Sequence, residues 1–283
     1  MKRFILFIVS ILLTCSFSIA QNWNQIGQDI DGEAAGDKSG QSVSLSSDGN
    51  TVAIGAQHNG GQAGHVRIYN YNGSAWNQVG GDINGEVAGD HSGYSVTLSS
   101  DGNTVAIGAE ANNGNGTYSG HVRIYNWSGT YWSQVGNDIY GEAAGDMSGY
   151  SVSLSSDGQI VAIGAHGNDG NGDGAGHVRI YSYNGSSWSQ LGQDIDGESD
   201  EQYLGYGNSS ISFSNNGNIL AVGSYRYDGS SGIQNDNRGQ VKIYNYNGTS
   251  WTQLGQELVG VNSGDGLGTS VSLSSDGYTL AAG

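Results

Sequence analysis

Residues 39–80 read SGQSVSLSSDGNTVAIGAQHNGGQAGHVRIYNYNGSAWNQVG. From Ser42 to Ser46 the chain alternates Ser with Val43 and Leu45, the period of two expected of a strand with one apolar face. Asp48-Gly49 leads into a second run, Thr51 to Ala56. A Gly/Asn-rich loop precedes a third, Gly64 to Tyr71, and Asn72-Gly73 leads into a fourth around Trp76. Asp-Gly and Asn-Gly between alternating runs are strong hairpin signals, because both residues tolerate the positive φ of tight primed turns. No stretch shows sustained helical periodicity. The unit predicts four short antiparallel strands, a to d.

The unit recurs. SGYSVTLSSDGNTVAIGA (92–109) pairs with GHVRIYNWSGTYWSQVG (120–136), and SGYSVSLSSDGQIVAIGA (148–165) with GHVRIYSYNGSSWSQLG (176–192). A looser copy is NSSISFSNNGNILAVGS (208–224) with GQVKIYNYNGTSWTQLG (239–255), and a last piece is TSVSLSSDGYTLAAG (269–283). Trp23, Trp76, Trp132, Trp188 and Trp251 mark a period of 53 to 63 residues. Four-stranded units repeated radially predict an all-β fold, a β-propeller in which neighbouring blades bury one another's faces. The chain supplies four full blades and strands a and b of a fifth. A leading d strand at Trp23 to Gly27 is the piece a propeller uses to close its ring, so further blades or a C-terminal domain are expected beyond Gly283.

Lys2 and Arg3 precede an apolar run from Phe4 to Leu13 and then Ser18-Ile19-Ala20, the pattern of a signal peptide over residues 1–20. The propeller domain then occupies 21–283, and the location expected is secreted or cell-surface. Leu12-Leu13-Thr14-Cys15 offers a lipoprotein signal as the alternative. The single cysteine of the chain lies in this leader, so stability must come from burial rather than disulfides. No other apolar stretch suits a transmembrane segment. With 26 Asp and Glu against 9 Lys and Arg, a net charge of −17 argues against nucleic acid as a partner.

The segments SSDGNTVAIGA and GHVRIY resemble the FG-GAP type of repeat, related to the integrin α-chain propeller and common in exported bacterial proteins. The resemblance covers essentially all of 21–283. Residues 208–224 are similar, less closely, to WD40-like units, but the Trp-Asp dipeptide is missing and the period is longer than about 40–45 residues. The resemblance implies the propeller and a calcium loop in some blades. It does not specify function.

Up-and-down topology places the d–a and b–c connections on one face. Only Asp48, Asp101, Asp157 and Asp276 fall in a–b turns, so nearly all other acidic residues gather on the d–a/b–c face. The d–a loops repeat as Asp29/Glu33/Asp37, Asp82/Glu86/Asp90 and Asp138/Glu142/Asp146. These read either as oxygen ligands for Ca²⁺ or as turn residues bonding nearby amides. In the third b–c loop Asp169, Asn171 and Asp173 have the alternate spacing of a calcium loop, although His177 stands where a further acid would be expected. Calcium is therefore the one cofactor indicated, and none is required. The fourth blade departs most from the others. Glu198, Asp200, Tyr203 and Tyr206 in its d–a loop, with Tyr225, Arg226, Tyr227 and Asp228 in its b–c loop, combine stacking rings with hydrogen-bonding groups, as a glycan or protein ligand would need. His65, His121 and His177, with Arg67, Arg123 and Arg179, recur on strand c of separate blades and read as structural, too far apart to share one ion.

The mature sequence contains no HExxH, GxSxG or Cys/His pair, and strand a lines the channel with Ser, Val and Leu, offering no acid or base there. The reading is a non-enzymatic ligand-binding or adhesion scaffold acting through its acidic loop face. The alternatives are a passive spacer for a further domain, and a polysaccharide-active enzyme using paired carboxylates.

Overall fold

The computed structural model describes residues 23–207, 209–229 and 236–283; the proposed leader at 1–20, with Cys15, lies outside the described residues. In the first blade β1 (Ser42–Leu45), β2 (Thr51–Ala56), β3 (His65–Tyr71) and β4 (Trp76–Gln78) pair antiparallel in that order, and β5 (Ile83–Asn84) also pairs with β3. The predicted fourth strand is thus one strand broken in the middle. β4 lies against Tyr69–Tyr71 and β5 against His65–Val66, while Gly80, at φ 75°, makes the break. The same order recurs over 95–140, 151–196 and 211–259, and Val271–Leu273 with Leu280–Ala282 forms the two-stranded fifth sheet. The all-β propeller architecture and the blade boundaries follow the sequence reading. The leading d strand does not: Trp23 to Gly27 forms no regular strand, having no strand c to pair with. No helix among the described residues is long and apolar enough to cross a membrane.

Each hydrophobic core straddles two blades, because alternation gives every blade two apolar faces. Val66, Ile68 and Ile83 of the first pack with Val96, Leu98, Val105 and Ile107 of the second. Ile124 and Ile139 pack with Val152 and Ile163, and Val178 and Ile180 pack with Leu220 and Trp251. Near the axis the innermost strands are linked through serine hydroxyls: Ser44 Oγ accepts from Leu98 N–H at 2.9 Å and Ser153 Oγ from Phe213 N–H at 3.1 Å. Backbone bonds join successive a–b turns, from Ser47 to Ser100, Ser156, Asn215 and Ser275.

A second set of links lies at the outer edge. Trp132 Nε1 donates to Val79 O at 2.9 Å, Trp188 Nε1 to Val135 O at 2.8 Å and Trp251 Nε1 to Leu191 O at 2.8 Å. The accepting carbonyl always belongs to the strand break of the preceding blade. The glycine that follows it has positive φ and no room for a side chain: a Cβ on Gly136 would lie 2.8 Å from Trp188. Although not a strand, Trp23 to Gly27 does the same for the first blade, since Ile26 O accepts from Trp76 Nε1 at 3.1 Å.

Two predictions follow from burial and from this link. Gly136→Ala and Gly255→Ala both strain a positive-φ position, but a Cβ on Gly255 meets nothing within 4 Å. Urea melts should therefore show Gly136→Ala costing more by about 1–3 kcal/mol, the overpacking term; equal costs would remove the clasp as a constraint. Burial also pushes His121, His166 and His177 down to about 4. The unfolded chain takes up their protons first, so this stability is complete above about pH 6.5 and is lost as pH falls toward 4. The loss should be on the order of a few kcal/mol across that window. His121→Gln with His177→Gln should flatten the profile, and an unchanged slope would exclude these groups as its source.

Candidate ligand site at the axial mouth

Two positions in each blade meet above the innermost strands. One is the residue just before strand a, the other the residue just after strand b. They are held together by backbone bonds from Gly93 N–H to Gly108 O (3.0 Å), Gly149 to Gly164 (3.1 Å) and Gly205 to Gly223 (3.0 Å). The first position supplies Tyr94 and Tyr150, and the second supplies Gln57, Glu110, His166 and Tyr225; in the fourth blade Tyr206 follows the equivalent glycine, Gly205, in a longer loop that reaches strand a only at Ile211. Their rings form one row. Centroids lie 4.6 Å apart for Tyr94–Tyr150, 4.8 Å for Tyr150–Tyr206 and 4.7 Å for Tyr206–Tyr225. His166 stands edge-on to Tyr150 and Tyr206 at 4.2 and 4.8 Å. Arg226 lies over the faces of Tyr203 and Tyr225 and donates to the Tyr225 hydroxyl.

The four tyrosines of the row are half-buried, so part of each ring faces solvent. Burial pushes Tyr94 up to about 12, and burial with hydroxyl bonding to its neighbours pushes Tyr150 up as well. The hydroxyls of Tyr94 and Tyr150 therefore stay protonated as donors. At the other end Glu110 is 8% exposed, its Oε1 2.9 Å from His91 Nδ1 and its Oε2 without a partner among the described residues. Burial raises its pKa despite the opposing histidine. The arrangement is an aromatic platform with neutral hydroxyls, an imidazole within it, a cation at one rim and a carboxyl at the other.

The structure brings together only part of the set anticipated from sequence. Tyr203, Tyr206, Tyr225 and Arg226 join the row; Tyr227 makes no ring contact with it among the described residues. Glu198 lies instead against Lys242 Nζ at 2.5 Å, Asp200 Oδ1 accepts from Asp173 N–H at 3.1 Å, and Asp228 Oδ1 accepts from Asn237 N–H at 2.9 Å. Tyr94, Tyr150, His166 and Glu110 were not anticipated. Their signal was available: the residue after strand b reads Gln, Glu, His, Tyr in successive blades, a variable position inside a strict repeat.

In the third b–c loop Asp169 Oδ1 accepts from Gly174 N–H at 2.7 Å, and Asn171 directs its amide nitrogen to Gly197 O at 2.7 Å. Calcium wants about six to eight oxygens. An ion here would have to displace the Gly174 amide and turn the Asn171 amide over. The d–a acids divide by position. Asp37, Asp90 and Asp146 accept from Ala34, Val87 and Ala143 N–H at 2.9–3.0 Å, which is turn chemistry. Glu33, Glu86 and Glu142 lie 3.1–3.8 Å from Arg67, Arg123 and Arg179. Asp82, Asp138 and Asp194 lie 3.8–3.9 Å from the Nδ1 atoms of His65, His121 and His177. Each histidine, on its own blade, thus has a Glu and an Asp beside it.

Residues 141–181 match the FG-GAP repeat family. A comparison with curated proteins gives no match. Among solved structures, the periplasmic gluconolactonase of Pseudomonas aeruginosa superposes with a TM-score of 0.57 at 16% identity, over 86% of this chain and 64% of that one. Hydrazine synthase of Kuenenia stuttgartiensis gives 0.52 at 14% identity, over 85% and 67%. A Bacteroides uniformis protein described provisionally as a 6-phosphogluconolactonase gives 0.49 at 13% identity, over 86% and 57%. The chain thus spans 57% to 67% of the length of these three. The matched segment is the third copy of a unit that forms every blade, and the chain is an FG-GAP-type repeat protein.

Proposed function

We propose that the protein is an exported, non-enzymatic β-propeller that binds a glycan outside the cell, with the tyrosine row as the seat. The observation that carries this reading is the unbroken run Tyr94–Tyr150–Tyr206–Tyr225, half-buried and spaced 4.6–4.8 Å between centroids. Sugar rings present apolar C–H faces to such a platform and hydroxyls to its phenols, His166 and Arg226. The acid excess of the surrounding loops opposes a polyanion, so a neutral glycan fits best. Export rests on the leader pattern at residues 1–20, and a surface role on the repetition of one loop face around the axis.

An array of neutral oligosaccharides, followed by calorimetry on those captured, tests the seat. Tyr206→Ala with Tyr225→Ala should weaken binding at least about tenfold, a loss of roughly 1.4 kcal/mol, while Tyr131→Ala, exposed on an outer turn, should not. Capture of no glycan by the unaltered chain, or equal affinity in the double variant, would overturn the proposal and leave the spacer reading. Glu110 favours catalysis as a second reading, because burial raises the pKa of its carboxyl, the direction a general acid needs. Release of reducing sugar from the captured glycans, abolished by Glu110→Gln, would replace binding by hydrolysis.

A further inference from the structure

The three histidines of strand c are each 1% exposed, and each ring points Nδ1 at carboxylate oxygens it does not reach. In the first blade Nδ1 of His65 is 3.8 Å from Asp82 Oδ2 and 3.9 Å from Glu33 Oε2, beyond hydrogen-bond range. In the second, His121 Nδ1 is buried with no hydrogen-bond partner among the described residues and lies 3.8 Å from Asp138 Oδ2, with Glu86 completing the group. In the third, His177 Nδ1 is 3.9 Å from Asp194 Oδ2, with Glu142 beside it. The aspartates are held in place from the other side: Oδ1 of Asp82, Asp138 and Asp194 accepts from Gln78, Gln134 and Gln190 at 2.5–2.7 Å. Oδ2 is thereby fixed toward the ring, and in the second blade it also accepts from Tyr140 OH at 2.9 Å.

The fourth blade shows the same place resolved without an ion. Gln240 stands where the histidine would be and donates to Glu257 Oε2 at 2.8 Å. Lys242 replaces the arginine, and its ammonium lies 2.5 Å from Glu198 and 3.7 Å from Glu257, bridging both carboxylates. In the other blades the arginine serves the Glu only, and its NH2 is spent on a backbone carbonyl of the preceding segment: Asp31, Asn84 or Tyr140. Among the described residues the His–Asp side has no protein cation and no direct bond.

We propose that blades one to three each hold a divalent transition cation between the Glu, the histidine Nδ1 and the Asp Oδ2. One imidazole and two carboxylates form a borderline-hard donor set suited to Zn²⁺, whose ligand oxygens and nitrogens sit about 2.0–2.2 Å from the metal. Three protein ligands leave a position for water. Burial keeps the histidines neutral, as a ligand must be. Asp82 and Asp138 also line outer grooves of about 280 and 300 Å³.

The test uses the untagged full chain, stripped with chelator and titrated with ZnCl₂ by calorimetry, with bound metal counted after dialysis. Three equivalents per chain are expected, and His65→Gln, His121→Gln and His177→Gln should each remove one. Gln is what the fourth blade carries at this place, so the variants should fold, which far-UV circular dichroism and a cooperative metal-free melt would verify. X-ray absorption of the zinc form should show nitrogen and oxygen neighbours only. A stoichiometry other than three, or one that survives the triple substitution, overturns the proposal.

Discussion

The structure depends on the contact between one blade's tryptophan and the broken outer strand of the blade before it. A four-stranded sheet of alternating sequence has two apolar faces and cannot bury either alone. Packing against a neighbour answers this, but apolar packing is non-directional and would tolerate sliding. The indole N–H bonded to one particular carbonyl fixes the height of each blade on the next. The glycine after that carbonyl must then take positive φ and carry no side chain, because the indole fills the space. The inter-turn backbone bonds near the axis set the other end of the same lever. With both ends fixed, residues at equivalent positions come to one level, and four tyrosines from three d–a loops and one b–c loop can stack in a row.

The break in the outer strand has a second consequence. It carries the chain across the sheet so that β5 pairs again with the start of β3, and Asp82 arrives beside His65. The interval from the strand-c residue to the outer-strand acid is the same in every blade: 65 to 82, 121 to 138, 177 to 194 and 240 to 257. Packing geometry at the rim and the composition of the His, Glu and Asp groups are therefore one constraint seen twice.

Strands a, b and c were legible because Asp-Gly and Asn-Gly turns flank runs of period two. The broken fourth strand was not, because Val79-Gly80-Gly81-Asp82 reads as a turn and only the indole of the next blade gives it a reason to be extended on both sides. Trp23 to Gly27 has the sequence of an outer strand without a strand c beside it, so it keeps the tryptophan-accepting carbonyl and loses the pairing. Grouping by loop put Glu198, Asp200 and Asp228 with the tyrosines. The carboxylates instead went to the nearest Lys or backbone amide. The strand-c histidines are indeed far from one another. What escaped was that each brings its own acids, which the 17-residue interval already encoded.

The fourth blade shows that its differences form a set. Where the third has Asp146, His177, Arg179 and Asp194, the fourth has Gln202, Gln240, Lys242 and Glu257. Gln202 Oε1 takes over the turn amides of Glu198 and Ser199, and its Nε2 donates to Ser224 Oγ at 3.1 Å and to Gln240 Oε1 at 3.2 Å. Gln240 in turn donates to Glu257. No member could be exchanged alone without leaving a buried donor or acceptor unsatisfied, at about 1–3 kcal/mol each. The chain of bonds runs from the rim to Ser224, the residue before Tyr225, so the blade that lacks the His–Asp pair is also the one whose inner loop is braced from behind. The brace thus reaches the last ring of the row, which stacks on Tyr206 and carries Arg226 over its face.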